Sequence, residues 1–202
     1  MRLFTFFLAL FISTNSFSQS ENCGEWKLKT DEGNYKVYQR TCKSSAIKEY
    51  KVLDKFPGDF RKLPVLFNDI ETNKKTSESC VESRYVKKID ANTHTEYVRF
   101  KTPIGIRERD IVSKVTIVAT DSTFFLTSKA IDEATEPEKK GVVRLKNAHT
   151  SFLFKKISNG MIEMEYIAFA DPNGFDPPFL VNSLAKKEAR KMTDKLKILL
   201  QP

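Results

Sequence analysis

The last thirty residues of this chain set the problem that the rest must solve. From Tyr35 to Ala170 the apolar residues fall in short alternating runs between turn residues, the period of half-buried strands. After the turn run Asp171-Pro172-Asn173-Gly174-Phe175-Asp176-Pro177-Pro178 the period changes once. Leu180, Val181, Leu184, Ala185, Ala189, Met192, Leu196 and Leu199 recur at helical spacing and make one stripe. Asp176 suits the N-cap, where a carboxylate accepts from unpaired first-turn N–H groups, and Pro177 suits the first helical position. A helix from Phe179 to Leu200 is about 33 Å long at 1.5 Å per residue, enough to cross a small domain. Its opposite face carries Lys186, Lys187, Arg190, Lys191, Lys195 and Lys197. One helix must therefore cover one sheet in an α+β domain, and what lies between them decides the function.

The chain has 202 residues, room for one domain with a sizeable core. Its start reads differently from the rest. Arg2 precedes the largely apolar run from Leu3 to Ile12, too short to cross a bilayer, and Ser16-Phe17-Ser18 places small residues where a signal peptidase reads. Residues 1–18 are expected to be a cleaved signal peptide and 19–202 the working domain, exported to a periplasm or secreted. Cys23 follows Ser20-Glu21-Asn22, not the small apolar box of a lipoprotein. The net charge of +8 invites a nucleic-acid reading, but the basic residues are scattered and export makes that partner a poor one, so none is expected.

Export permits a disulfide, and three cysteines leave at least one thiol over. Cys23, beside Trp26, and Cys42, at the end of the first strand, are the expected pair; Cys80 reads as a small buried hydrophobe on a strand. There is no C-x-x-C, and His94 and His149 are not grouped, so no structural zinc and no cofactor are expected.

In chain order, Asn22 to Leu28 is expected as a short helix anchored by Trp26. Strands are expected at 35–41, 46–56, 81–89, 93–101, 109–119 and 123–130, then one long or broken strand at 142–157 and a last one at 161–170. Residues 59–68 have helical spacing, with Pro64 inside, and 133–140 make a charged loop. Asn159-Gly160 is a type I′ hairpin signal.

Strand parity assigns the faces. On the last strand Glu163 and Glu165 belong near water, so Ile162, Met164, Tyr166 and Ala168 point inward. On the strand from Arg109 the inward set is Arg109, Ile111, Ser113, Val115 and Ile117, leaving Asp110 outside. Phe124 and Leu126, and Val98 and Phe100, share the inner face, as does Glu96. A Glu and an Arg on apolar inner faces are costly unless paired, hydrogen-bonded or wet. They form either a structural ion pair near a strand end or a polar spot that orients a ligand's head group.

Several short motifs, in order along nearly the whole domain, resemble START (StAR-related lipid transfer) domains. Trp26 with Tyr35-Lys36-Val37-Tyr38-Gln39-Arg40 is similar to their opening, and Lys48-Glu49-Tyr50 to their second strand. Arg109-Asp110-Ile111-Val112, Gly141-Val142-Val143-Arg144 and Asp171-Pro172 through Val181-Asn182 resemble later signatures. The chain departs from the family at Lys74-Lys75-Thr76 and at Phe152, where many members have tryptophan. Glu96 sits at the acidic place of some sterol carriers, but Val115 stands where they have the partner arginine.

The resemblance implies a helix-grip fold, a curved antiparallel sheet around a long C-terminal helix with a hydrophobic tunnel between, and an apolar ligand such as a lipid, sterol or isoprenoid-like molecule. With parity it implies a pocket walled by Val98, Phe100, Ile111, Val115, Phe124, Leu126, Met164 and Tyr166. Leu184 and Met192 roof it, and Glu96 and Arg109 are its polar members. The expectation is a monomeric binder, with no catalysis, gated by the C-terminal helix, whose basic face touches anionic membranes transiently. The alternative is a helix-grip enzyme of the polyketide cyclase or hydrolase type, for which His94 and Glu96 share one strand face; a filled interaction module is the third class.

Overall fold

The computed structural model describes residues 23–43, 45–103, 106–157, 160–172 and 177–202. The expected signal peptide, Asp176, Asn159 and the Asn173-Gly174 turn lie outside the described residues. Ten strands form one curved sheet. They are β1 (Lys27–Glu32), β2 (Tyr35–Thr41), β3 (Lys48–Pro57), β4 (Cys80–Lys88), β5 (Thr93–Phe100), β6 (Glu108–Ala119), β7 (Thr123–Ala130), β8 (Val142–Arg144), β9 (Ala148–Ile157) and β10 (Met161–Ala170). Helices α1 (Lys62–Phe67) and α2 (Thr72–Thr76) lie between β3 and β4, and α3 (Pro178–Leu199) ends the fold.

The spatial order is β1-β2-β3-β10-β9-β7-β6-β5-β4. The chain leaves the sheet after β3, passes through α1 and α2, and re-enters at the far edge with β4. The last strand closes the gap, since β10 pairs β3 on one side and β9 on the other. Ladders along this order are antiparallel; β8 lies off it and pairs β6 in parallel.

The expected parity of β10 is found: Ile162 and Met164 are fully buried, and Glu163 points out to Lys55, Oε2 to Nζ 2.8 Å. α3 buries Ala189, Thr193 and Leu196, and the Thr193 hydroxyl donates to Ala189 O at 2.8 Å, so its burial leaves no orphan. The helix starts at Pro178 with Pro177 at the cap, one residue later than the spacing suggests. Leu196 and Leu200 meet Phe56, Phe60, Leu63, Ile162 and Met164 in the main core. Each such side chain contributes about 1.5–3 kcal/mol by leaving water. The core thus lies under the C-terminal half of α3.

Two expectations change, at Trp26 and at Asp110, and the open choice for 142–157 is decided. The segment around Trp26 is not a helix: residues 27–32 pair with β2 through a turn at Gly33, whose φ of 70° only glycine adopts freely. Trp26 instead lies under two cations, Arg40 at 4.4 Å and Lys51 at 4.8 Å from its ring centre. The 142–157 strand is broken, because β8 crosses to β6 before β9 begins. Asp110, expected near water, is buried, because residues 131–147 strap over the outer face of β6 and β5. There Arg84 holds Glu136 through two bonds of 2.7 Å, and Arg144 grips Asp110 at 2.8 and 3.2 Å. Gly160 has φ 68°, the left-handed turn conformation its hairpin needs.

Cys23 and Cys42 are disulfide-bonded across 19 residues, tying the N-terminal segment to the end of β2. Closing a loop of that length contributes about 3 kcal/mol. Cys80 is free and buried, and burial pushes its thiol up to about 11.

Candidate functional site

Between the sheet and α3, from Leu180 to Leu196, is a cavity of about 600 Å³. That is within the roughly 300–1,000 Å³ of small-molecule sites. The sheet lays Val98, Ile111, Val115, Leu126, Phe152 and Tyr166 along it; α3 adds Leu184 and Met192, and α1 and α2 close a third side with Phe67, Asn73 and Thr76. The space exists because the start of α3 presents short and branched residues, Val181, Leu184 and Ala185, to the wide sheet, and α1 and α2 fill only one side of the remainder.

Of the residues expected at the site, Glu96, Val98, Phe100, Arg109, Ile111, Val115, Leu126, Tyr166, Leu184 and Met192 line the cavity. Phe124 and Met164 do not. Both are 0 % exposed and pack in the main core, where Phe124 faces Phe154 across one ladder and Met164 faces it across another. Parity gives the face of a strand, not the distance along it, and these two lie past the end of the cavity. The helical spacing of 59–68 is found as α1, but its place at the cavity is not legible in the sequence, and neither is α2, since residues 69–79 carry no long periodic run.

The exposed lining residues are Lys101, Pro103, His149 and Ala170. They sit at the end of β5, the start of β9 and the end of β10, beside the start of α3, so the cavity opens there.

Glu96 and Arg109 do not pair. Glu96 faces Ser113 across the β5–β6 ladder and Arg109 faces Phe100. Four residues of strand separate them by about 13 Å. Arg109 donates from Nε to Pro172 O at 3.1 Å, holding the chain that leads into α3. Glu96 accepts from Asn73 Nδ2 at 3.1 Å and Ser113 Oγ at 3.4 Å. His94 Nε2 is 3.9 Å from Glu96 Oε2, too far for the hydrogen bond a working acid–base pair uses.

Near the opening, His149 Nε2 and Glu49 Oε1 are 2.8 Å apart, and Arg40 Nε donates to the other oxygen of Glu49. The His149 ring stacks on Phe169 at 5.5 Å. Burial pushes the Glu49 carboxyl up, but the bonds from His149 and Arg40 outweigh it and hold the group below its ordinary 4.5. The sign follows: a depressed folded pKa contributes stability that is complete above 4.5 and is lost as pH falls through the folded value. Thermal melts between pH 7 and 3 should show an acid limb that flattens in Glu49→Gln; an unchanged limb would place the acid sensitivity elsewhere.

One helix clamped on a curved sheet over an apolar cavity defines a helix-grip binding fold. The chain belongs to the START domain family, whose profile matches residues 18–201. An uncharacterised protein of Pseudomonas aeruginosa is 29% identical over 160 residues, 79% of this chain and 78% of that one. START domain-containing protein 10 of Mus musculus is 23% identical over 131 residues, 63% of this chain but only 45% of its own length, so this chain spans less than half of that relative. Among solved structures, the STAR-related lipid transfer protein of Xanthomonas axonopodis superposes with a TM-score of 0.76 at 19% identity, covering 88% of this chain and 99% of that fragment. That likeness shows the fold, and the family is one of lipid binding and transfer.

Proposed function

We propose that this protein is an exported, monomeric lipid carrier that takes one apolar ligand into the cavity beneath α3 and performs no chemistry on it. The observation that carries this is the cavity itself, about 600 Å³ with branched aliphatic and aromatic walls. The likeness to the STAR-related lipid transfer protein of Xanthomonas axonopodis supports the same reading. The Cys23–Cys42 disulfide and the apolar run at 3–12 support an oxidising destination outside the cytoplasm.

The gate is the N-terminal half of α3. The C-terminal half is held by Leu196 and Leu200 in the core, by Lys197 Nζ on the buried Asp54 at 2.5 Å, and by Arg190 on Glu32 at 2.6 Å. The other half rests on half-buried Leu180, Val181, Leu184 and Ala185. Asn182 is its main polar anchor, accepting from Lys48 N at 2.8 Å and, through its carbonyl, from the Tyr50 hydroxyl. Few contacts hold that half, so opening there is cheap.

Val115→Trp tests the cavity. The added ring should displace ligand and weaken binding of an apolar fluorophore such as diphenylhexatriene at least about tenfold, with the circular dichroism of the fold kept. Normal binding by the folded variant would rule out this wall.

The gate meets an anionic membrane through fewer charges than the helix carries. Arg190 is committed to Glu32 and Asp194, and Lys191 and Lys195 to Glu78. Lys186 and Lys187 have no ion pair among the described residues, and Phe179 beside them along α3 is 76% exposed. Each free basic residue near such a surface contributes about 1 kcal/mol, screened by salt. Lys186→Gln with Lys187→Gln should therefore slow transfer from anionic vesicles, roughly tenfold at low salt, and leave neutral vesicles unaffected. Equal rates on both vesicle types would make this face plain solvent surface.

A further inference from the structure

The face of the sheet turned away from α3 carries an arrangement that the cavity does not use. The ladders fix its rows. Lys87 of β4 lies opposite Thr95 of β5, Thr95 opposite Lys114 of β6, and Lys114 opposite Lys129 of β7. The three lysines are exposed and have no ion pair among the described residues, with the acids Asp132 and Glu133 of the covering loop or with any other. Lys114 and Lys129 are direct cross-strand partners, and like charges in that position destabilise a sheet. Between Lys87 and Lys114 the Thr95 hydroxyl is buried without a hydrogen-bond partner. Such an atom costs free energy until something supplies its partner.

The next row along the strands is made of short hydroxyl side chains. Thr93, Thr116, Thr127 and Ser151 stand opposite one another across β5, β6, β7 and β9. All four are half-buried, and none of their side chains makes a hydrogen bond among the described residues. The row beyond holds Leu153, Phe125 and Val118, and Val118 is 56% exposed. Successive rows are two residues apart, about 7 Å, and the hydroxyl row crosses three strand spacings, about 14 Å. Short side chains between longer ones make a trough. Hydroxyls form its floor, ammonium groups stand along one side and hydrocarbon along the other. The site is separate from the cavity, because Ser113, Val115, Leu126 and Ser128, which line the cavity, alternate along β6 and β7 with the residues of the trough.

We propose that this trough binds an acidic polysaccharide, an extended chain of hydroxyl-rich rings that bear carboxylates. The chemistry matches on all three sides. The lysines pair with the carboxylates. The Thr and Ser hydroxyls, each a donor and an acceptor, exchange hydrogen bonds with sugar hydroxyls. The apolar row takes the C–H faces of the rings. A flat anionic bilayer meets the lysine tips but does not reach the floor, and an acidic polypeptide brings the charge without the hydroxyls. Across β5, β6 and β7 neither polar row has a ring on which a nucleic-acid base could stack.

The test titrates the protein at low salt with polygalacturonate and, in parallel, with polyglutamate of equal charge, neutral dextran and phosphatidylglycerol vesicles. Polygalacturonate should bind at least about tenfold more tightly than polyglutamate or dextran. Lys114→Gln with Lys129→Gln should weaken it at least about tenfold, and added salt should act in the same direction. Thr116→Val with Thr127→Val keeps the shape and the charge; it should weaken polygalacturonate about fivefold and leave polyglutamate unchanged. Diphenylhexatriene uptake should stay normal in both double variants, since the cavity is on the other face; the two pairs are independent, so the loss of one to misfolding leaves the other to decide. Polyglutamate or the vesicles binding as tightly as polygalacturonate would show a plain cationic surface and overturn the saccharide assignment. Polygalacturonate binding that survives both pairs of substitutions would place it elsewhere on the molecule, and no binding at low salt would remove the site altogether.

Discussion

Replacing Arg144 with Met is expected to lower the stability of the folded domain by about 3–5 kcal/mol, read as a shift in the urea midpoint at unchanged slope. Its partner Asp110 is 1% exposed, and Arg144 is 6% exposed. The guanidinium makes two bonds to the carboxylate, at 2.8 and 3.2 Å, and a third to Glu136 O at 3.0 Å. Removing it leaves a buried charge with the Arg gone and water largely excluded. That orphan, rather than the worth of the pair, is what the variant measures. The double variant Asp110→Leu with Arg144→Met removes both charges and should recover most of the loss. A single variant that costs less than about 1 kcal/mol would mean that water reaches Asp110 and that the strap is loose.

The same pair explains two motifs that the sequence shows only as separate signatures. Arg109-Asp110-Ile111-Val112 and Gly141-Val142-Val143-Arg144 are about thirty residues apart, yet Asp110 and Arg144 are direct partners in the parallel β6–β8 register. Gly141, at φ 85°, makes the turn that lets β8 enter beside β6. Below the pair, the Tyr97 ring lies under Arg84 at 4.6 Å and Lys139 at 4.3 Å, so the strap closes on an aromatic floor. Alternation placed Asp110 at the solvent face because alternation assumes that the outer face of a sheet is wet. Here a charged loop covers it, and a loop has no period to announce that.

Legibility elsewhere followed the range of each signal. Strands with a clean period of two were placed within a residue or two, and β2, β7 and β10 at their observed ends. The long helix was legible because 3.6-residue periodicity over six turns has few imitators. The inward faces of β5, β6 and β10 were legible too, which is why most of the cavity wall could be named. Of the short helices, α1 was legible as helical spacing over 59–68 and α2 was not. α2 has five residues, too few to show a period, although it supplies Asn73 and Thr76 to the site. The Glu96–Arg109 question needed register, which depends on how β5 and β6 are offset and not on either strand alone.

The misplacement of Phe124 gives the last expected result. Its face was right and its depth was wrong: it stands behind the cavity's inner wall, in a group of four phenylalanines. Phe67 and Phe152 line the cavity, and Phe124 and Phe154 back them. The Phe124 ring is 5.4 Å from that of Phe67 and 6.2 Å from that of Phe154, and Phe67 is 5.3 Å from Phe152. These tilted and edge contacts add about 0.5–1.5 kcal/mol per pair beyond burial. Phe124→Ala should therefore cost about 3–5 kcal/mol, the range for an emptied aromatic site in a packed core. It should also change what binds. With its backing gone, Phe67 can move into the void, because α1 holds it on a short helix at the end of a loop. The cavity would then lengthen toward the core. In the folded variant, a series of fluorescent alkyl chains should show its tightest binding shifted to longer chains than in the wild type. Destabilisation with an unshifted optimum would show that the wall of Phe67 and Phe152 stands without Phe124. A loss below about 1 kcal/mol would show that the four rings do not pack as a unit.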